Sequence, residues 1–153
     1  MAFYNRRKLE LQEALARCDA AERRVQELEA EWQAIEAAMA VLVMSQNGII
    51  ERASPAFLDL MGFEQHELLG KHHRMICDSD YAASEEYIRF WRELVTGNVK
   101  SGGFPAIDAN GQNLVMEACY SPVKGEQGVT RRVIALVTGP HKTHDSPHKQ
   151  RTY

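Results

Sequence analysis

The first part of the chain has a helical pattern of apolar positions, and it contains no proline or glycine between Tyr4 and Met39. Alanine, glutamate, leucine, arginine and glutamine dominate, and all are good helix formers. The apolar positions repeat every seven residues, weakly at first and strongly later, which is typical of a coiled-coil seam. The pattern predicts an N-terminal coiled-coil helix over residues 1–38. The seam residues predicted to hold two such helices together are Val25, Leu28, Trp32, Ile35 and Met39.

Charged residues flank this seam. In a parallel pair of helices, Arg17 would face Glu22 of the other chain and Arg24 would face Glu29, whereas a third pair would consist of two glutamates. The alternative is one amphipathic helix that folds back on its own domain. A helix this long has more apolar seam than one small domain can cover, so we expect a homodimer. The orientation stays open, because few seam residues are β-branched.

From Ala40 the pattern becomes extended, with V-L-V-M-S followed by a turn at Gln46-Asn47-Gly48 and then I-I-E-R-A. Asn-Gly between two apolar runs predicts a β-hairpin. Ser-Pro at 54–55 predicts the start of a short helix that ends at Gly62, because serine caps a helix and proline suits its first position. A second short helix, E-Q-H-E-L-L, is predicted to end at Gly70.

A longer helix is predicted after Ser84, whose hydroxyl can accept a hydrogen bond from an amide of the first turn. Its apolar residues recur at steps of three and four. Three extended segments follow, separated by the turns D-A-N-G and K-G-E-Q-G. We therefore predict an α+β domain with a five-stranded antiparallel sheet and short helices on one face. In the fourth strand, alternation predicts one core-facing set: Leu114, Met116, Ala118 and Tyr120.

Composition narrows the functional classes. The 153 residues are 44% hydrophobic, enough for one core, and a net charge of −3 provides no basic surface for nucleic acid. The longest apolar run, Ala37 to Met44, is much shorter than the ~20 residues that cross a bilayer. Three widely spaced cysteines fit free thiols in a reducing compartment. We expect a cytoplasmic protein with no nucleic-acid or membrane partner.

Titratable side chains crowd the segment before the longer helix. His73 and Cys77 are four residues apart and could form half of a zinc site, but no second pair with suitable spacing follows in the folded part. His73 could equally be a structural histidine that bonds a backbone carbonyl. A solvated tail is the simpler interpretation for His141, His144 and His148. The sequence contains no phosphate-binding glycine loop, no G-x-S-x-G motif and no H-E-x-x-H motif, so we expect no enzymatic activity.

Several motifs appear in an order typical of a known family. They are N-G-I-I-E-R-A-S-P-A-F-L-D-L-M-G-F from Asn47, E-L-L-G-K-H-H-R-M-I-C-D from Glu67, F-W-R-E-L-V-T-G from Phe90, and a strand from Gly111 that ends in Y-S-P. With this order, residues 39–139 resemble the PAS domains at the front of bacterial chemotaxis receptors, including the aerotaxis receptors. The resemblance covers about two thirds of the chain. It implies a PAS fold for residues 39–139, followed by a disordered tail over residues 140–153.

The resemblance also implies a pocket that holds FAD or haem in relatives of this type. The side chains expected at or near it are His73, Met75, Phe90, Trp91 and Met116. If haem is bound, His73 would ligate the iron. The function implied is sensing of oxygen, redox state or a small ligand, relayed through the helix dimer. The alternative is a ligand-free interaction module acting on a chemoreceptor or kinase. Nothing in the chain resembles a chemoreceptor signalling hairpin, so we expect an isolated sensor module or a small stand-alone PAS protein.

Overall fold

The computed structural model describes residues 1–141, with side chains as far as Gly139, and divides them into one unit up to Ile35 and another from Glu36 onward. The first unit is most of helix α1, Ala2–Ala38, none of whose residues is buried. This is the long N-terminal helix that the heptad pattern predicts. From residue 142, the predicted disordered tail lies outside the described residues.

The second unit is built on one antiparallel sheet with the spatial order β2-β1-β5-β4-β3. Its strands are β1 (Ala40–Ser45), β2 (Ile50–Ala53), β3 (Lys100–Ile107), β4 (Asn113–Lys124) and β5 (Thr130–His141). The first and last strands therefore pair in the centre of the sheet. The five-stranded antiparallel sheet is confirmed.

Short helices fill the chain between β2 and β3. They are α2 (Pro55–Met61), α3 (Gln65–Leu68), a 3₁₀ helix (His73–Ile76), α4 (Ser79–Ala82) and α5 (Glu85–Val95). Their buried side chains join those of the sheet in one core. The largest fully buried members are Tyr120, Phe57, Leu42, Met44, Ile50, Met61, Leu68, Ile76, Leu94 and Met116. The core-facing set predicted in β4 is buried, so the α+β fold with helices on the sheet is confirmed.

Local sequence signals begin and end these elements as predicted. Ser54 accepts a hydrogen bond from the Phe57 amide at 3.3 Å, and Ser84 accepts one from the Tyr87 amide at 3.2 Å. The hairpin between β1 and β2 forms at the Asn-Gly pair, but only Gly48 has a positive φ, +79°. A side chain at Gly48 would also collide with the imidazole of His72, whose Nε2 lies 2.8 Å from the position a Cβ would take. Gly48 thus has both a conformational and a packing reason to be glycine.

Residues 70–78, which we call the crossing segment, are attached to both edges of the sheet. At one end, Ile50 of β2 donates to the Lys71 carbonyl at 2.8 Å, and Ile49 and His72 form an isolated bridge. At the other end, the Asp78 amide donates to the Pro105 carbonyl of β3 at 3.2 Å, and the next bridge follows at Ala106. Edge strands present unpaired backbone groups, so this segment satisfies part of both edges.

The end of α1 is fixed to the sheet by two polar contacts within the second unit. The Ser54 hydroxyl, buried between strand and helix, donates to the Met39 carbonyl at 2.9 Å and accepts from the Val41 amide at 2.8 Å. Arg52 of β2 forms an ion pair with Glu36 at 2.5 Å. We call residues 36–41 with Arg52 and Ser54 the joint. It connects the last turn of α1 to two strands.

Within residues 1–141, no helix combines the length and the apolar character needed to cross a membrane.

Candidate functional site

His73 opens the 3₁₀ helix and is 2% exposed. Its Nδ1 lies 2.9 Å from the Tyr87 hydroxyl, and its Nε2 lies 2.9 Å from the Tyr120 hydroxyl. A neutral imidazole has one donor and one acceptor nitrogen, so one tyrosine accepts from the ring and the other donates to it. The helix α5 provides Tyr87 and the strand β4 provides Tyr120. This buried polar cluster therefore connects the crossing segment, a helix and the sheet.

Aromatic rings enclose the imidazole on several sides. Tyr87 is stacked on it with a centroid distance of 5.9 Å, and Phe90 is stacked at 6.1 Å. Trp91 and Tyr120 approach edge-on at 5.5 Å and 5.4 Å. Aromatic pairs at such distances add to the energy of apolar burial. His73 is therefore held in place by ring packing as well as by hydrogen bonds.

Burial determines the protonation of this cluster. It lowers the pKa of His73 to about 3, and the neighbouring His72 acts in the same direction. Burial also raises the pKa of the Cys77 thiol to about 12, while the neighbouring Tyr87 acts in the opposite direction. The Cys77 sulfur lies 3.4 Å from His73 Nδ1. The imidazole is thus neutral and the thiol protonated at neutral pH.

The structure places the five predicted cofactor residues in or next to one core. His73, Phe90 and Met116 are buried, whereas Met75 and Trp91 are partly buried against them. Trp91 touches both the imidazole and the ring of Phe90. A role for these residues in cofactor binding stays a prediction.

As arranged, these residues do not fit haem or FAD. An axial histidine needs one free ring nitrogen, but both nitrogens of His73 have tyrosine partners. A flavin needs a planar cavity, whereas Phe90, Phe104 and Tyr120 meet edge to face with centroids 4.9–5.2 Å apart in the space between helices and sheet. Either cofactor would require these side chains to rearrange.

The structure brings together the two side chains of the predicted half of a zinc site. His73 and Cys77 are adjacent, but among residues 1–141 no group of three or more histidine, cysteine, aspartate or glutamate side chains could hold a metal ion. The side chain of His141 is not described, and His144 and His148 lie outside the described residues.

A second feature lies on the outer side of the cluster. A recess of about 420 Å³ opens between the β1–β2 turn, the start of the crossing segment and the outer face of α5. The residues that line this recess are Gln46, Asn47, His72, Arg74, Ala82, Tyr87, Ile88 and Trp91. The Trp91 indole nitrogen is buried without a hydrogen-bond partner. Tyr87 and Trp91 therefore contribute to both the buried cluster and the recess.

Sequence reasoning missed the two tyrosines that bind His73 and the recess beside them. Tyr87 and Trp91 are four positions apart and lie on one helical face, and this spacing does not reveal the hydrogen-bond partner of the Tyr87 hydroxyl. Tyr120 lies 47 positions from His73, so only the sheet register brings it near. The signal that could have found Tyr120 is the predicted core face of β4, because that face places the Tyr120 ring in the core.

These features define a domain with a central antiparallel sheet, one helical layer and a polar cluster under that layer. Residues 32–140 match the family described as PAS fold, and the chain belongs to this family. The predicted PAS domain is thereby confirmed.

Among characterised relatives, the chain is 37% identical over 120 residues to the biofilm dispersion protein BdlA of Pseudomonas aeruginosa. The match covers 76% of this chain and spans only 29% of the relative. It links this PAS-type sensory domain to a protein named for biofilm dispersion.

Solved structures show the same fold at low identity. An RNA-binding light-oxygen-voltage receptor has a TM-score of 0.60 and 21% identity, covering 67% of this chain and 29% of that one. A Rhodobacter sphaeroides LOV protein has a TM-score of 0.59 and 17% identity, covering 72% and 62%. The photo-excited blue-light photoreceptor Vivid has a TM-score of 0.55 and 21% identity, covering 65% and 77%. At these identities, the likeness concerns the fold alone.

Proposed function

We propose that the chain is a cytoplasmic, non-enzymatic PAS sensor of the chemotaxis-receptor type that detects a small ligand. It relays the signal through α1, which forms a homodimer, to a chemoreceptor or kinase partner. The family and the similarity to the biofilm dispersion protein support a role in signal transduction. The observation that carries the relay is the joint.

The joint supplies a physical route from sheet to helix. Ser54 binds the carbonyl of Met39 and the amide of Val41 through one hydroxyl, so a shift of β1 relative to α2 must change at least one of these bonds. Arg52 adds a charged contact from β2 to Glu36. Signalling needs a mechanical connection between the sensing element and the output element, and these residues provide it at the end of α1.

The apolar seam of α1 supports the homodimer. In a single chain Val25 is 53% exposed, Leu28 46% and Ile35 41%, although they repeat at coiled-coil spacing. A parallel partner would cover them and pair Arg17 with Glu22 and Arg24 with Glu29.

One unfavourable pair in this dimer, Glu31 with Glu36, is eased by the joint. The charge of Glu36 is compensated by Arg52 of its own chain at 2.5 Å. Only 16% of the Glu36 side chain is exposed. The repulsion between Glu31 and Glu36 across the dimer is therefore reduced at the end of α1 that is attached to the sheet.

A second candidate function is a ligand-free interaction module, and the filled core favours it. Both nitrogens of His73 have protein partners and the surrounding rings are in contact, so the interior needs no ligand to be complete. In that case the same α1 dimer would form, but no small molecule would change it.

Sedimentation and crosslinking test the proposal. Cys18 is exposed at a seam position, so mild oxidation of a parallel dimer should crosslink the two chains through it, and Cys18→Ser should abolish the crosslink. Ile35→Glu should convert the dimer to a monomer, because it buries two unpaired carboxylates in the seam. The matched control is Val129→Glu, which changes a loop residue that is 60% exposed. A monomeric mass for the unaltered chain, or an unchanged mass for Ile35→Glu, would contradict the relay.

Absorption spectroscopy separates the two candidate functions from haem or flavin sensing. The spectrum is taken for the protein as isolated and after incubation with haem and with FAD. We expect no bound chromophore, because His73 has no free ring nitrogen. A stable Soret or flavin band would show that the cluster rearranges and that the cofactor is the ligand.

A further inference from the structure

The recess beside the buried cluster has the size and lining of a small-molecule site. Its volume of about 420 Å³ lies within the range of ~300–1,000 Å³ usual for ligand pockets. Four separate parts of the chain form its walls: the β1–β2 turn, the start of the crossing segment, the end of α4 and α5. Backbone bonds fix two of these walls to each other, since the His73 amide donates to the Gly48 carbonyl at 2.8 Å.

Arg74 is the charged group of the recess, and Gln46 and Asn47 add side-chain amides to its lining. Arg74 is exposed, and within residues 1–141 its guanidinium has no carboxylate within ion-pair distance. Its Nε donates to Nδ1 of His72 at 3.2 Å, which fixes the side chain in place. The other N–H groups of the guanidinium are therefore available to an acceptor in the recess.

The rest of the lining is apolar or aromatic. Ala82 and Ile88 contribute aliphatic surface, and Ile88 is 57% exposed. The rings of His72 and Trp91 are tilted towards each other at a centroid distance of 6.1 Å. A bare inorganic anion would pair with Arg74 but leave these surfaces in water. A ligand with one carboxylate and a flat apolar body would use both.

We propose that the recess binds a small aromatic carboxylate, with the carboxylate on the Arg74 guanidinium and the ring against Trp91 and Ile88. Arginine binds carboxylates through parallel N–H groups, which gives orientation as well as charge. This inference rests on the proposed sensor function and names the class of its ligand. The ligand would bridge the β1–β2 turn and α5, and β2 carries Arg52 and leads into Ser54, the two polar residues of the joint.

Benzoate is the probe, and NMR of the two tryptophan indole N–H groups is the readout. Added benzoate should shift the Trp91 signal in a saturable way at concentrations up to ~10 mM, a range in which weak specific binding is detectable. The Trp32 signal, assigned by its loss in Trp32→Phe, should not move. Benzamide has the same ring but no charge, and it should bind about tenfold more weakly or worse.

Three variants test the assigned contacts. Arg74→Gln should weaken benzoate binding by about tenfold or more, because the charge-assisted bonds are lost. Ile88→Glu should also weaken it, through repulsion of the carboxylate. Arg89→Gln is the matched control on the adjacent, exposed position of α5 and should bind benzoate as the unaltered chain does. Thermal melting of each variant shows whether it is folded.

Several outcomes would overturn the inference. They are the absence of a saturable Trp91 shift, equal binding of benzamide, an equal effect of inorganic phosphate, and unchanged binding by Arg74→Gln. These outcomes concern ligand binding alone and do not change the mass measured for the proposed α1 dimer. The proposed relay can therefore hold even if the recess binds no aromatic carboxylate. Conversely, benzoate binding that is lost in Arg74→Gln, together with an unchanged mass for Ile35→Glu, would keep the recess and overturn the relay.

Discussion

Apolar side chains are exposed in one unit of the chain and buried in the other. The first unit is helix α1 up to Ile35, and the second starts at Glu36. The helix leaves Leu11 61% exposed and Val25 53% exposed, whereas Leu42 and Phe57 of the second unit are fully buried. Helical stability in proteins comes mainly from packing of an apolar face. The second unit therefore has a core of its own, while the seam of α1 is uncovered. The difference places folding in the second unit and makes α1 the site of the proposed association.

A buried ring of the second unit should contribute far more to folding than an exposed ring of α1. Phe57→Ala should lower the free energy of unfolding by ~3–5 kcal/mol, since it removes a fully buried ring and leaves a cavity. Phe3→Ala makes the same change at an 83% exposed position of α1 and should cost less than ~0.5 kcal/mol. Urea denaturation at one protein concentration measures both. Similar losses for the two variants would contradict the division between the units.

The free energy of unfolding should depend on pH because of the buried cluster around His73. The pKa of His73 is about 3 in the folded chain, whereas an unfolded histidine has a value of about 6.5. Between these values the unfolded state binds the proton and the folded state does not. The free energy of unfolding should therefore decrease as the pH falls below 6.5, by about 2 kcal/mol between pH 7 and pH 5, and this decrease should level off near pH 3.

Urea unfolding at pH 7 and pH 5 measures this dependence. His73→Gln should remove most of the slope, since glutamine does not titrate. His66→Gln, at an exposed position of α3, is the matched control and should retain it. A slope that survives in His73→Gln would mean that another group is responsible.

The ion pair between Arg52 and Glu36 lies at the start of the second unit, where α1 ends. Arg52→Gln removes a partly exposed ion pair and should change the free energy of unfolding by less than ~1 kcal/mol. It also uncovers the charge of Glu36 towards Glu31 of a dimer partner, so dimer dissociation should become about two- to fivefold more favourable. Sedimentation equilibrium measures this.

Arg132→Gln is the control for the boundary. Arg132 pairs with Glu51 at 3.1 Å on the sheet, away from the end of α1. It should leave dissociation unchanged. An equal effect of the two arginine variants would mean that the joint has no special influence on α1.

The parts of the fold that follow from neighbouring residues could be predicted. Serine hydroxyls at 54 and 84 reach amides three positions later, and glycine at 48 and 62 permits the backbone that ends a turn or a helix. The alternation along β4 identified its buried face because side chains on a strand alternate strictly. In each case the interacting groups lie within a few residues.

The candidate site depended on distant residues and could be predicted only in part. His73 was identified, but its partners Tyr87 and Tyr120 lie 14 and 47 positions away. The ion pair between Glu36 and Arg52 likewise depends on where β2 lies relative to the end of α1. Such contacts are set by the pairing order of the sheet, which short-range patterns do not contain. The same limit hid the recess, because four separate parts of the chain form its walls.

The crossing segment connects the two edges of the sheet to each other. Its two ends are attached to β2 and β3, the outermost strands, at Lys71 and Asp78. A change in sheet curvature that alters the distance between those anchors would strain the segment between them, which contains the short 3₁₀ helix. His73 lies on that helix, so its hydrogen bonds to Tyr87 and Tyr120 would respond to such a change.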